Sequence, residues 1–436
     1  MLRPARISGF LGWIFHRLFA SYWMLAVLAV IAAFPWHFAV LWLDRAIVSD
    51  WLLRHDLVPV ATADTAKDFL GIAAGINAAF ITLYFSITLI VLSMAAGNLG
   101  VRLIDRWVER GLVRVSLAGL SFSLVCSLLA MLSVDAEAAL EDTPLLLVIV
   151  VTLLQAINVA MLSVSLHSLA RTMFVDTSID RLANDADNRS LDLKGGQPAD
   201  EDYQHQLRAP REGYIEDVDI AKLRALFGDT KHRIVVHGAP GQHVVDGQTL
   251  VESDTPFDEK QMARAIPIGP YRSDNQGVVF RIRLLVEIAA RALSPAVNDF
   301  YTALTCADKL ATIMEGQTAT YIPEGEVPVL VEAEWLVLTG QDFRGLFEDP
   351  LNAFRQAACA YPSVAIRMIG NYGRIASRRY HNGAPEGMVV LLDRLARELR
   401  DHACQSAGFD RDREDIRAAY DAAFGEELQQ IARDEP

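Results

Sequence analysis

Cysteine is scarce: four residues, Cys126, Cys306, Cys359 and Cys404, are scattered through 436, with no Cys-x-x-Cys pair. Such spacing builds neither a disulfide framework nor a zinc ribbon, and it suits a reducing compartment. Basic residues are in deficit as well. Forty Lys and Arg against 54 Asp and Glu leave a formal charge of −14. That argues against sequence-independent nucleic-acid binding, which needs a surplus of cations facing phosphates. Charged residues of both signs make up only 22% of the chain and hydrophobic residues 52%, a balance that excludes disorder for the bulk of it.

The sharpest absence is local. Segments 19–43, 69–96, 115–134 and 144–170 contain no Asp, Glu, Lys or Arg at all. A helix rising 1.5 Å per residue needs roughly 20 apolar residues to cross about 30 Å of hydrocarbon, and each run is long enough. A helix of a water-soluble bundle would carry charge every turn or two. The first run is too long for a cleaved signal peptide and leads into no small-residue cleavage site. The expected fold is therefore an α-helical integral membrane protein, with four transmembrane helices followed by a cytosolic α+β domain. The expected divisions are a membrane domain at 1–171, a helical extension and linker at 172–207, a small β-rich subdomain at 208–270 and a helical subdomain at 271–436.

The loops suggest an orientation. Arg3, Arg6 and Arg17 precede the first run without an acid, whereas Asp44, Asp50, Asp56, Asp64 and Asp68 dominate the next connection. Arg102, Arg106, Arg110 and Arg114 follow the second run, and the third connection is wholly acidic. The positive-inside rule then puts the N-terminus and everything beyond the fourth span in the cytoplasm of a cell bounded by an inner membrane. The four arginines recur every four residues, so on a helix they share one face; docking onto anionic lipid headgroups or onto the acidic cytosolic domain are the two readings.

No span holds a carboxylate, which disfavours ion-coupled transport. A passive path needs none. In the second run Asn77, Tyr84 and Thr88 fall within about 20° of one line on a helix, with Ser86 on the opposite side. Asn77, Tyr84, Thr88 and Ser86 are thus candidates to line a path, the alternative being that they bond neighbouring helices and their own carbonyls.

After the spans, 233–237 reads as a strand rich in β-branched residues, and Pro240-Gly241 and Asp246-Gly247 mark turns. The string 240–250 resembles the turn of barrel-sandwich domains that carry lipoyl or biotinyl groups. It lacks the acceptor lysine, so no cofactor is implied. His232, His237 and His243 match no metal-site spacing. Residues 277–293 form an amphipathic helix with Arg283, Glu287 and Arg291 at i, i+4 and i+8. It ends at Ser294-Pro295, and Asn298-Asp299 offers a cap for the next helix. Arg291, Ser294, Asn298 and Asp299 either form a tight helix corner or converge on a ligand or neighbouring subunit. The remainder, 326–427, reads as helical, with no nucleophile placed beside a base.

The stretch 280–299, FRIRLLVEIAARALSPAVND, followed by Tyr301-Thr302-Ala303, resembles the bacterial predicted-membrane-protein family catalogued as domain of unknown function 2254. Residues 85–92, 99–103 and 211–215 share in the resemblance. It implies the same layout of four spans and a cytosolic domain, and no reaction. Three positions depart from the family pattern: Val101 stands for a proline, His167-Ser168 for paired histidines, and Phe300 for the proline after Asn298-Asp299. The leading expectation is a homo-oligomeric ion or small-solute channel gated by its cytosolic domain. The alternative is a membrane-anchored sensor or assembly scaffold whose cytosolic domain binds a ligand or protein. No enzyme activity, catalytic residue, cofactor or metal is expected; the bilayer, and anionic lipid within it, are the expected partners.

Overall fold

The computed structural model describes residues 23–99, 111–172, 175–187, 191–198, 203–228, 232–272, 276–383 and 385–434. The chain divides into two compact units, the first within positions 1–174 and the second from 175 onward, with 98–100 grouped with the second.

Among the described residues of the first unit, four helices are long and apolar enough to cross a membrane: Met24–Arg54, Ala63–Met94, Gly111–Leu132 and Leu145–Ala170. The first comprises α1 (Met24–Leu43), one π-helical turn (Asp44–Val48) and α2 (Ser49–Arg54). It outruns the charge-free segment because Asp44 is no helix breaker here. Its carboxylate accepts from Ser49 Oγ at 2.8 Å and from the backbone N–H of Leu146 at 2.7 Å. The other spans lie in α3 (Ala63–Leu99), α4 (Gly111–Leu132) and α5 (Leu145–Thr172).

These helices pack around two apolar layers. One joins Val40, Leu70, Ala130, Val134 and Val148, and the other joins Tyr84, Val91, Val113, Leu120 and Leu162. Trp36, Phe38, Trp42, Ile72, Ile90 and Leu153 instead point outward. Outward apolar side chains over sealed backbone ladders are what a hydrocarbon solvent requires.

The second unit begins with α6 (Val175–Asp187). A six-stranded sheet then forms in the order β1-β8-β9-β4-β6-β2, from β1 (Leu193–Gly196), β2 (His205–Arg208), β4 (Ile234–Val236), β6 (Thr249–Ser253), β8 (Val327–Leu330) and β9 (Ala333–Leu338). Among the described strands only β4 and β9 pair in parallel. A smaller sheet sets β3 (Gly213–Ile215) between β5 (His243–Val244) and β7 (Ile268–Gly269). Short helices α7 (Ile220–Phe227) and α8 (Glu259–Ala265) complete this part, whose core includes Ile215, Leu223, Val236, Val251, Met262 and Leu336.

Two expectations are corrected here. The β structure is not confined to 208–270, since β1 and all but the last residue of β2 lie in the expected linker and β8 and β9 in the expected helical part. Short strands such as Leu193–Gly196 carry little periodic signal, and their pairing partners lie far away: Leu193 is opposite Leu330. The β8–β9 turn leaves only Val331 and Glu332 between the strands, a hairpin hidden between two helical stretches.

The rest is helical: α9 (Val278–Ala292), α10 (Phe300–Gly316), α11 (Phe343–Ala358), α12 (Pro362–His381), α13 (Glu386–Ser406), α14 (Asp410–Ala423) and α15 (Glu426–Asp434). Helix α12 packs against α10, α13 and α14.

Candidate functional site

The polar residues of α3 have partners inside the first unit. Asn158 Nδ2 donates to Asn77 Oδ1 at 2.9 Å, and Asn77 Nδ2 donates to Ser127 Oγ at 3.1 Å. Ser123 Oγ donates to Asn158 Oδ1 at 3.3 Å, and Ser127 Oγ to Ser123 O at 2.8 Å. This layer, drawn from α3, α4 and α5, lies in sequence between the two apolar layers on all three helices. The Tyr84 hydroxyl donates to Val113 O at 3.3 Å. Thr88 is buried, and its hydroxyl oxygen has no hydrogen-bond partner among the described residues. On the opposite, exposed face Ser86 donates to Thr82 O at 2.9 Å, four residues back in its own helix. Both polar stripes read from the sequence are present, and intramolecular hydrogen bonds take up most of their capacity.

Of the arginine row, Arg102, Arg106 and Arg110 lie outside the described residues; Arg114 is in the first turn of α4, half-buried. The 291–299 corner is a closed turn. Asp299 caps α10, accepting from Thr302 N at 3.1 Å and Thr302 Oγ1 at 2.6 Å. The Tyr361 hydroxyl lies 3.0 Å from Leu293 O and 3.1 Å from Asn298 Oδ1. Ser294 O accepts from the N–H groups of Val297 and Asn298. Arg291 pairs with Glu287 at 3.8 Å, whereas Arg283, the third member of the expected ladder, donates to Gly241 O at 3.0 Å. The histidines separate: His237 pairs with Glu252 at 2.7 Å and His243 with Glu212 at 3.3 Å. Among the described residues no three His, Cys, Asp or Glu side chains gather as metal ligands. Burial pushes the Cys306 and Cys359 thiols up, which keeps both protonated and poorly nucleophilic near neutral pH.

A site the sequence reading missed lies between α12 and α14, as a groove of about 820 Å³. Arg367, Arg374, Ser377, Arg378 and His381 line it along α12 together with Ile366, and Gly370, Gly373, Ala419, Ala422 and Ala423 supply a floor of small residues. The floor exists because the two helices approach closely: a Cβ at Gly373 would lie 2.5 Å from Ala423 O. At Gly370, three residues earlier, a Cβ would meet nothing within 4 Å. Among the described residues no carboxylate lines the groove, and α12 contains neither Asp nor Glu, in a chain of net charge −14.

The bordering cations are held differently. Arg367 pairs with Asp308 at 2.6 Å and Arg378 with Glu315 at 2.8 Å, both across to α10. Arg374 donates to Asn371 Oδ1. That amide is itself fixed, since buried Asn371 donates through Nδ2 to Ala307 O at 3.1 Å and Asp308 Oδ1 at 3.2 Å. A neutral acceptor therefore orients Arg374 and leaves its charge uncompensated by any carboxylate among the described residues. His381 Nδ1 donates to Ser377 O at 2.7 Å, which leaves Nε2 for another partner. A smaller hollow of about 430 Å³ between α7 and α8 is also basic, with Lys222, Lys260 and Arg264, but Asp258 sits among them. One signal could have found the larger groove: an acid-free α12 with Arg367, Arg374, Arg378 and His381 along one face.

Comparison with known proteins gives a coarser result. A family model described as a predicted membrane protein, DUF2254, matches residues 20–372. An uncharacterized protein of Mycobacterium bovis is 26% identical over 292 residues, which is 60% of this chain and 54% of the relative. Two uncharacterized proteins of Mycobacterium tuberculosis match over the same length at 26% and 25% identity. The chain spans about half the length of these curated relatives. No solved structure matches it. The family match ends inside α12, so Arg374, Arg378, His381 and all of α14 lie beyond it.

Proposed function

The chain belongs to the DUF2254 family of predicted membrane proteins, and from that premise we propose that it is a membrane-anchored sensor whose second unit binds a ligand on the cytoplasmic side. The observation that carries this reading is the contrast in what is left unsatisfied. Asn77, Tyr84, Ser123, Ser127 and Asn158 spend their hydrogen bonds inside one chain. A path needs polar groups that are free to replace an ion's water, and a closed amide and hydroxyl layer offers few. The second unit, by contrast, presents an open groove of about 820 Å³ with an uncompensated guanidinium. That volume lies in the ordinary range of small-molecule sites, about 300–1,000 Å³. The cytoplasmic side follows from the arginine-rich flanks of the first and third spans.

The test is made on the full-length protein. Reconstituted into liposomes, it is expected to pass potassium, chloride and protons no faster than protein-free vesicles do. Screened in detergent against a panel of small metabolites, it is expected to show a rise in thermal midpoint with at least one of them. Saturable flux through the reconstituted protein would overturn the sensor reading in favour of a gated oligomeric path.

A further inference from the structure

We propose that the groove between α12 and α14 binds a phosphate-bearing small molecule with a flat, weakly polar body, the chemistry of a nucleoside polyphosphate. The inference rests on the reading of the second unit as a ligand-binding domain and names the class of ligand. Two halves of the groove call for two halves of a molecule. Along one side Arg374, Arg378 and His381 stand at i, i+4 and i+7, one above the next on a single helix face, with Arg367 two turns earlier. At 1.5 Å per residue Arg374 to His381 extends about 10 Å, room for two or three linked phosphates rather than one. Guanidinium groups are planar forks whose N–H pairs match phosphate oxygens. Arg374 is the member set for this task, because buried Asn371 holds it in place without neutralising it.

The floor has the opposite character. Gly370, Gly373, Ala419, Ala422 and Ala423 carry no side chain beyond a methyl group, so a planar ring can lie flat against backbone and methyls. Nothing has to move: the space above Gly370 is empty to 4 Å. A lipid headgroup would also supply phosphate. A bilayer surface is flat, however, and the small-residue floor has no counterpart in a headgroup, so the discrete ligand fits both halves better.

The experiment uses the full-length protein in detergent, with methylanthraniloyl-ADP as fluorescent probe, inorganic pyrophosphate as competitor and phosphatidylglycerol mixed micelles as the lipid arm. Two variants sit where the fold tolerates change. Arg374→Gln removes an exposed charge, and Gly370→Leu fills the floor where no atom stands within 4 Å. The wild type is expected to bind the probe saturably and to release it to pyrophosphate. Arg374→Gln is expected to weaken both ligands about tenfold or more, the usual cost of a lost charge-assisted bond. Gly370→Leu is expected to weaken the probe by a similar factor and to leave pyrophosphate within about twofold, since only the ring's place is filled. Both variants should keep the wild-type thermal midpoint within a few degrees. Three results would each overturn the proposal: no saturable probe binding, equal probe binding by wild type and Gly370→Leu, or Arg374-dependent binding of phosphatidylglycerol alone. Any of these, with a different metabolite raising the midpoint, would leave the sensor reading standing.

Discussion

In the first unit the layer of Asn77, Ser123, Ser127 and Asn158 is built of amides and hydroxyls that bond one another, and the buried carboxylate Asp44 is met by a serine and a backbone N–H. In the second unit the buried carboxylate Asp393 is met by Arg397 and by the Tyr420 hydroxyl at 2.5 Å, and salt bridges link α10, α11, α12 and α13. The difference follows from the solvent. Hydrocarbon makes an unpaired charge prohibitive, so neutral dipoles and a helix N-terminus do the work. Where water is near, guanidinium and carboxylate can pair at modest cost, and one guanidinium can be left over for a ligand.

The contrast can be broken most forcefully at Asp393. Asp393→Ala should cost about 2–3 kcal/mol, because the buried Tyr420 hydroxyl loses its acceptor; chemical denaturation in detergent measures it. The same contact carries a pH signature. Burial and the bond to Asp393 push the Tyr420 phenol up to about 12. The folded chain keeps that proton after the unfolded phenol, near 10, has lost its own. This contribution is therefore whole below about pH 10 and is lost as pH rises from about 10 to 12. Burial pushes the Tyr372 phenol higher still, so an alkaline absorbance titration should show a late tyrosine step near pH 12 that Tyr420→Phe removes while the Tyr372 step beyond it stays.

Asp44→Ala should cost somewhat less, about 1–2 kcal/mol, as the loss of a helix cap does. Unfolding in rising dodecyl sulfate reads it. Asn77→Ala should cost about 1 kcal/mol in the same assay, the scale of hydrogen bonds between membrane helices. A cost below the detection limit would mean that the amide layer is not closed within the chain. The smallest effect is expected at Gly370→Ala, a gain of about 0.5–1 kcal/mol from helix propensity alone, since the new methyl meets nothing.

The spans were legible because hydrocarbon imposes a rule on every residue of a run, and four charge-free runs obey it. What Asn77 faces was not, since Ser127 and Asn158 are 50 and 81 positions away in chains of residues that look alike. Periodicity placed Asn77, Tyr84 and Thr88 on one line and could not say whether that line met water or another helix. The corner at Ser294–Asp299 was half legible: Asp299 acts as the cap its type and position suggested, while the contact with Tyr361 depends on a helix 63 residues on from Asn298. The strands β1, β8 and β9 were illegible because four to six residues carry little pattern, and tertiary pairing decides their state. The groove escaped for a related reason. The basic face of α12 is present in the sequence, but its concavity comes from α14, whose Ala419, Ala422 and Ala423 look like unremarkable helix formers until they lie beside Gly370 and Gly373.

The Asp44 cap also sets an order of events. Asp44 and Leu146 are 102 positions apart. A ribosome adding roughly 5–20 residues per second takes about 5 to 20 s to deliver the second after the first. Through that interval the carboxylate has Ser49, five residues on, and water for company. The first span must therefore wait with its Asp44 end wetted, and it reaches its final seat only when the fourth span arrives to take the charge onto its own first turn. The contact cannot form before residue 146 has been made, and a chain stalled short of it would be left with that end unlatched.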